Sequence, residues 1–116
     1  MKWAVALALV AGLGCKKSEP APAVEDRPTI SAAEVKRGQD ACKAYVDRVC
    51  ACAQRVTDKQ HDCELARSLP DAMQVSLDVA MTADSTRRDV LQANDSVRKI
   101  VKECIEQTAK LAGVCP

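Results

Sequence analysis

Six cysteines spread along the C-terminal part of the chain constrain its fold more than any other feature. They are Cys42, Cys50, Cys52, Cys63, Cys104 and Cys115. The chain has 116 residues and no Phe, so its core must come from aliphatic side chains, each of which removes little apolar area from water. A domain of this size with such a core is marginal without covalent cross-links. We therefore predict a small domain in which these cysteines form three disulfides.

The charge balance bears on the class of partner. Lys and Arg together number 17 and Asp and Glu number 16, so the formal net charge is only +1. Nucleic-acid binding relies on a basic surface and often on aromatic side chains that stack on bases. The only Trp and Tyr are Trp3 and Tyr45. We therefore expect no nucleic-acid partner.

The first 14 residues have the pattern of a signal peptide. Lys2 gives a positive start, and the stretch from Trp3 to Leu13 is apolar throughout. As a helix it would span about 16 Å, roughly half of a bilayer core, so it is too short to cross a membrane. Its length and flanks are typical of the hydrophobic region of a secretory leader. We predict that residues 1–14 are this leader.

The segment Leu13-Gly14-Cys15, placed after an apolar run, resembles the lipobox of bacterial lipoproteins. The resemblance implies that the thiol of Cys15 carries diacylglycerol, that the leader is cut just before it, and that the new amine is acylated. Lys16 is not the Asp that retains such proteins in the inner membrane, so the resemblance implies the outer membrane, facing the periplasm. The cysteine count agrees, because Cys15 is the remainder after six are paired. Ordinary cleavage after Gly14, which would leave a free thiol, is the alternative.

We predict that residues 15–28 comprise the lipidated Cys15 and a Pro- and Ala-rich tether, and that residues 29–116 form a cysteine-rich α-helical domain. The sequence KKSEPAPAVEDRP of residues 16–28 contains three prolines and no periodic apolar pattern. At the rise of a polyproline helix it reaches at most about 40 Å. We expect it to hold the domain away from the membrane surface.

Two long helices are predicted at the two ends of the domain. Apolar residues recur every seven positions in both segments, at Val35, Cys42, Val49 and Val56 and again at Val90, Val97, Cys104 and Leu111. This spacing favours helices at about 32–56 and 86–112. Ser31 and Glu34 have the spacing of a capping box at the first start, and Asp84 or Ser85 can cap the second.

The middle of the domain is predicted to hold two short helices. Thr57 and Gln60 offer a further capping box, which favours a helix at about 58–69 that ends before Pro70. Residues 73–81 alternate between apolar and polar, which is the pattern of a strand, but no second strand is predicted to pair with it. We therefore favour a helix at 71–82, and an all-α, disulfide-stapled bundle of four helices.

Val75 and Val79 would point away from the apolar face formed by Met73, Leu77 and Met81 on that helix. Such a two-sided helix is either packed between neighbours or presents a strip that binds a partner. Packing inside a four-helix array is the favoured interpretation, and the partner-binding strip is the alternative.

The pairing of the six cysteines stays open between two schemes, both of which take the last helix as antiparallel to the first. In one scheme Cys52 pairs with Cys63, and the other two bridges are Cys42–Cys115 and Cys50–Cys104. In the other scheme the pairs include Cys50–Cys63 and Cys52–Cys104. Either scheme gives one bridge within a hairpin and two that tie the last helix to the first.

A metal-binding or redox protein is the alternative from another functional class. Cys50, Cys52, His61 and Cys63 together suggest thiolate chemistry for copper or zinc. However, two thiols separated by two positions on a helix point in nearly opposite directions, and an exported chain favours disulfides. We expect no resident metal or cofactor and an exposed His61.

Catalysis is not predicted. His61 is the only histidine, and no Gly-rich turn holds a nucleophile or cradles a phosphate. The sequence therefore favours a membrane-anchored envelope protein that acts as a structural or protein-interaction module.

Overall fold

Three α-helices account for most of the described chain, which in this computed structural model comprises residues 29–115. The helices are α1 (Ala32–Ala53), α2 (Gln60–Met81) and α3 (Arg87–Leu111), with one turn of 3-10 helix at Thr57–Lys59 before α2. Within this range no residue lies in a β-strand. The all-α, disulfide-stapled fold class is thereby confirmed.

Side-chain caps set the starts of α1 and α3. The Ser31 hydroxyl accepts a hydrogen bond from the backbone N–H of Glu34 at 3.1 Å, as predicted. The Glu34 carboxylate does not reach back to Ser31, because it accepts from Nε of Arg98 at 2.9 Å instead. At α3 the predicted capping residues were wrong. Thr86 is the N-cap, and it forms a reciprocal capping box with Asp89.

The predicted break at Pro70 is also wrong, since α2 runs without interruption from Gln60 to Met81. A proline inside a helix removes one backbone hydrogen bond and is costly. Here the buried residues Ala66 and Met73 lie on either side of Pro70 and continue the same helical period. Burial of one apolar face by the whole helix outweighs the local cost, so two predicted helices become one and the bundle has three helices.

The helix count reverses the expected direction of α3. In an up-down-up arrangement of three helices, α1 and α3 run parallel, and their contacts advance in the same direction along both helices. These contacts are Glu34 with Arg98, Gly38 with Val101, Cys42 with Cys104 and Cys52 with Cys115. The antiparallel arrangement on which both pairing schemes rested is therefore wrong.

Three disulfides staple the helices, as predicted in outline. Cys50–Cys63 joins α1 to α2, as in the second of the two schemes. Cys42–Cys104 and Cys52–Cys115 join α1 to α3 and to the residues just after it. Their Cα–Cα separations are 4.9 and 5.6 Å, within the usual range for a disulfide.

The core lies along the axis between the three helices. Its largest fully buried side chains are Met73, Val49, Val90, Cys42 and Cys104. A close approach of α1 to α3 occurs at Gly38, where an added Cβ atom would lie 2.5 Å from Cγ2 of Val101. A side chain at position 38 would therefore require Val101 or the two helices to shift.

Candidate interaction surface

Val75 and Val79, the predicted strip, lie on the solvent side of α2 with 63% and 40% of their surface exposed. The favoured interpretation, internal packing in a four-helix array, is therefore wrong. The reason is geometric: in a bundle of three, α2 has only two neighbours, and Met73 and Leu77 already fill the side that faces them. The valines lie at the edge of the contact between α2 and α3 and are partly open to solvent.

These valines belong to a longer stripe, which we call the outer stripe of α2. Its members recur at alternating steps of three and four residues and are Leu65, Ser68, Ala72, Val75, Val79 and Thr82. All six are exposed, and Leu65 shows 56% of its surface. Sequence reasoning missed this stripe because it treated α2 as two helices. The seven-residue spacing of Leu65, Ala72 and Val79 is the signal that could have revealed it.

The polar members of the outer stripe turn their hydroxyl groups back onto their own helix. Ser68 Oγ donates to the carbonyl of Leu65 at 2.6 Å, and Thr82 Oγ1 donates to the carbonyl of Asp78 at 2.7 Å. Their hydrogen-bonding capacity is thereby partly used within the helix. The stripe consequently offers methyl and methylene groups along most of its length.

Three carboxylates border the outer stripe on one side, and each directly precedes a member of the Leu65, Ala72, Val79 series. They are Glu64, Asp71 and Asp78. Within residues 29–115, none of the three has a basic group within 4.0 Å. Asp78 accepts only an amide hydrogen bond from Gln74, at 2.8 Å.

Carboxylates on the other two helices are mostly neutralised by neighbours. The ion pairs are Lys36–Asp40 and Lys43–Asp47 on α1, Lys99–Asp95 and Lys102–Glu106 on α3, and Arg98–Glu34 between them. With four acidic and one basic side chain, α2 has a formal net charge of −3, and one of its acids, Asp62, pairs with Lys59 just before the helix. Helix α3, with six basic and four acidic side chains, has +2. The outward side of α2 is therefore both acidic and partly apolar.

A shallow cleft of about 200 Å³ lies beside the outer stripe, between α2 and α3. Val75, Val79 and Ala93 provide its apolar surface, and Asp89 and Gln92 provide part of its polar rim. The hydrogen bonds that Asp89 accepts from the backbone and hydroxyl of Thr86 lower its pKa, so this rim position is an anion at neutral pH. The cleft extends the same acidic, partly apolar surface onto α3.

A larger groove, about 590 Å³, runs between α1 and α2. Cys42, Val46, Pro70 and Met73 line it, and its rim carries both acidic and basic side chains. These rim residues are Asp40, Asp47, Asp71, Lys43 and Arg67. Because the rim has no dominant sign of charge, the groove does not select one class of ligand by electrostatics.

The remaining candidate residues do not converge on a reactive centre. His61 lies exposed in the first turn of α2, and all six domain cysteines are held in disulfides. Among the residues that the structure describes, no group of three or more His, Cys, Asp or Glu side chains is placed to hold a metal ion. The tether and Cys15, the predicted lipidation site, lie outside the described residues.

The described helices give no membrane span, since between residues 29 and 115 none combines sufficient length with sufficient apolar character. Comparison with known proteins identifies no relative: no family model, no curated protein and no solved structure matches the chain.

Proposed function

We propose that this protein is a lipid-anchored component of a bacterial cell envelope, whose helical domain binds another envelope protein through the outer stripe of α2. The lipid on Cys15 attaches the chain to the membrane, with the outer membrane as its location. The tether of residues 16–28 then extends the domain into the periplasm.

The single observation that carries the anchor is the isolation of Cys15 at the end of the apolar leader. Six cysteines of the chain pair with one another within the domain, and Cys15 is the seventh. An exported protein with one unpaired thiol calls for a use of that thiol. The preceding Leu13-Gly14 supports lipidation as that use, and several acyl chains on one residue give stable membrane attachment.

Three disulfides in so small a domain support a location outside the cytoplasm, because cytosolic reductants keep most thiols reduced. The outer stripe supports a binding role. Exposed aliphatic side chains on one helix face, bordered by charge, are a common feature of protein interaction surfaces.

Metabolic labelling with palmitate tests the anchor. We expect the wild-type chain to incorporate the label and to fractionate with membranes, whereas Cys15→Ser should lose the label. The matched control is Cys63→Ser, which opens a disulfide of the domain and leaves the leader intact, and it should still be labelled. A Cys15→Ser chain that is labelled as strongly as the wild type, or a wild type without label, would refute the proposal.

A further inference from the structure

The outer stripe of α2 has the register of a coiled-coil seam. Leu65, Ala72 and Val79 are seven residues apart, as are the intervening Ser68, Val75 and Thr82. Written as a heptad repeat, the first series occupies the a positions and the second the d positions, which are the positions that contact a partner helix. The outer stripe is exposed over almost the whole of α2, and it has the spacing of a surface that packs against a further helix.

We propose that the outer stripe docks a cationic amphipathic α-helix of a partner protein, with aliphatic side chains in its seam and Lys or Arg beside them. This inference rests on the proposed function in that it names the chemistry of the envelope partner. The partner helix lies along α2 and fills the position that a fourth helix of the bundle would occupy.

The apolar part of the contact follows from side-chain size. Leu65, Val75 and Val79 supply aliphatic surface, while Ala72 and the inward-bonded hydroxyls are small enough to let a second helix approach closely. Helices packed in this way lie about 8–10 Å apart. The neighbouring cleft between α2 and α3, which Ala93 lines on the α3 side, receives side chains from one edge of the docked helix.

The charge of the partner follows from the border of the stripe. Glu64, Asp71 and Asp78 precede the three a positions and thus occupy g positions, which pair with charged side chains of the facing helix. No ion pair within the described chain satisfies any of them. Lysine or arginine side chains on the docked helix complete these pairs, and the three bordering carboxylates attract such a helix from a distance.

The same charges argue against a second copy of this chain as the occupant. In an antiparallel pair of α2 helices, g positions face g positions, so carboxylates would oppose carboxylates. In a parallel pair they would face Leu69 and Ser76, which carry no charge. Neither arrangement neutralises the border, whereas a basic helix does.

Binding of a designed helical peptide tests the proposal. The probe is a fluorescein-labelled peptide of about three heptads with Leu at a and d and Lys at e and g. Its matched control carries Glu at e and g. The protein is the mature chain, residues 15–116, with Cys15→Ser, which keeps every residue of the domain and carries neither the apolar leader nor the lipid. We expect the Lys peptide to raise the fluorescence anisotropy and the Glu peptide to leave it unchanged, with binding that weakens as salt is added.

Variants locate the binding surface. Val75→Asp, and separately Val75→Ser, should weaken binding of the Lys peptide by about tenfold or more, because either substitution removes an aliphatic contact at the centre of the outer stripe. Ile105→Asp is the matched control on α3, since this residue is 56% exposed and outside the stripe, and binding should change by less than about twofold.

Asp71→Lys/Asp78→Lys tests the charge of the border. This variant should reverse the preference between the two peptides, so that the Glu peptide now binds. Circular dichroism confirms that each variant is folded.

Several outcomes would overturn the proposal. They are equal binding of the two peptides, an Ile105→Asp effect as large as that of Val75→Asp, a Val75-dependent dimer in sedimentation, and Val75-dependent binding to anionic phospholipid vesicles in place of the peptide. The anchor is judged independently by the labelling of Cys15. A wild-type chain that takes up no label but binds the peptide rejects only the lipid anchor. A wild-type chain that is labelled but does not bind the peptide rejects only the docking surface.

Discussion

The contact between α1 and α3, which we call the α1–α3 seam, and the outer stripe of α2 are surfaces of similar length with opposite properties. Along the seam, two disulfides, the close contact of Gly38 with Val101 and an ion pair between Glu34 and Arg98 join the helices. Along the outer stripe, aliphatic side chains meet solvent and the bordering carboxylates lack basic partners within the described chain. The α1–α3 seam is thus closed by disulfides, close packing and an ion pair, whereas the outer stripe is exposed to solvent.

The difference shows how a domain with few large apolar residues can keep an exposed apolar surface. Its small core alone gives little stability, so covalent cross-links between α1 and α3 hold the framework. With the framework held by the seam, α2 can leave Leu65, Val75 and Val79 out of the core. Two of the three disulfides thus lie between α1 and the end of α3, whereas the exposed aliphatic stripe lies on α2.

Removal of a seam disulfide should have the largest effect on stability. Cys42→Ala/Cys104→Ala opens a bridge whose cysteines are separated by 62 positions and are fully buried. Because Cys52–Cys115 stays closed, the loop that this bridge closes has only about 20 residues, and the chain-entropy model gives a loss of about 3 kcal/mol in the free energy of unfolding. Cys50→Ala/Cys63→Ala, whose separation is 13, loses about the same in this model, and removal of the two fully buried sulfur atoms of Cys42 and Cys104 adds the cost of a cavity. Urea denaturation measures both. A greater loss from the α1–α2 bridge would mean that the seam is not the main support of the fold.

Gly38→Ala should destabilise the seam by a smaller amount. Its new methyl group would lie 2.5 Å from Cγ2 of Val101, and the overpacking outweighs the gain in helix propensity, for a net loss of about 1 kcal/mol. Gly113→Ala is the matched control, because nothing lies within 4 Å of the added atom and no loss is expected. Thermal denaturation compares them. The steric explanation also requires Gly38→Ala/Val101→Ala to be less destabilised than the sum of its single variants.

The ion pair across the seam should contribute the smallest effect and should depend on pH. The hydrogen bond from Arg98 lowers the pKa of Glu34, so the folded state holds this carboxyl ionised to lower pH than the unfolded chain does. Its contribution is therefore fully present above the unfolded-state pKa, about 4.3, and is lost as the pH falls through the lower folded-state value.

Urea denaturation of Glu34→Gln at several pH values measures this contribution. The difference from wild type should be constant above about pH 5 and should shrink below about pH 4. In an Arg98→Gln background the pH-dependent part of the difference should become smaller, and the remainder reflects Arg37, whose charge also lowers the pKa of Glu34. A difference that persists at low pH would assign the effect of Glu34 to packing rather than to the pair.

Local patterns in the sequence predicted much of the fold because they depend on neighbours along the chain. The seven-residue spacing of Val35, Cys42 and Val49 predicted α1, and Ser31 predicted its cap. The number of disulfides and their general distribution also followed from the cysteine count. The break predicted at Pro70 failed because a local cost was weighed without the burial of Ala66 and Met73 on either side of it.

The sequence by itself determined that this chain forms apolar-faced helices joined by disulfides, since helix periodicity and cysteine number are properties of the chain alone. Only the tertiary structure decided the count of three helices, and with it the parallel run of α1 and α3, the pairing of Cys42 with Cys104 and the exposure of Val75 and Val79. These features depend on which faces meet, and a helix with two neighbours instead of three must leave its third side to solvent or to a partner.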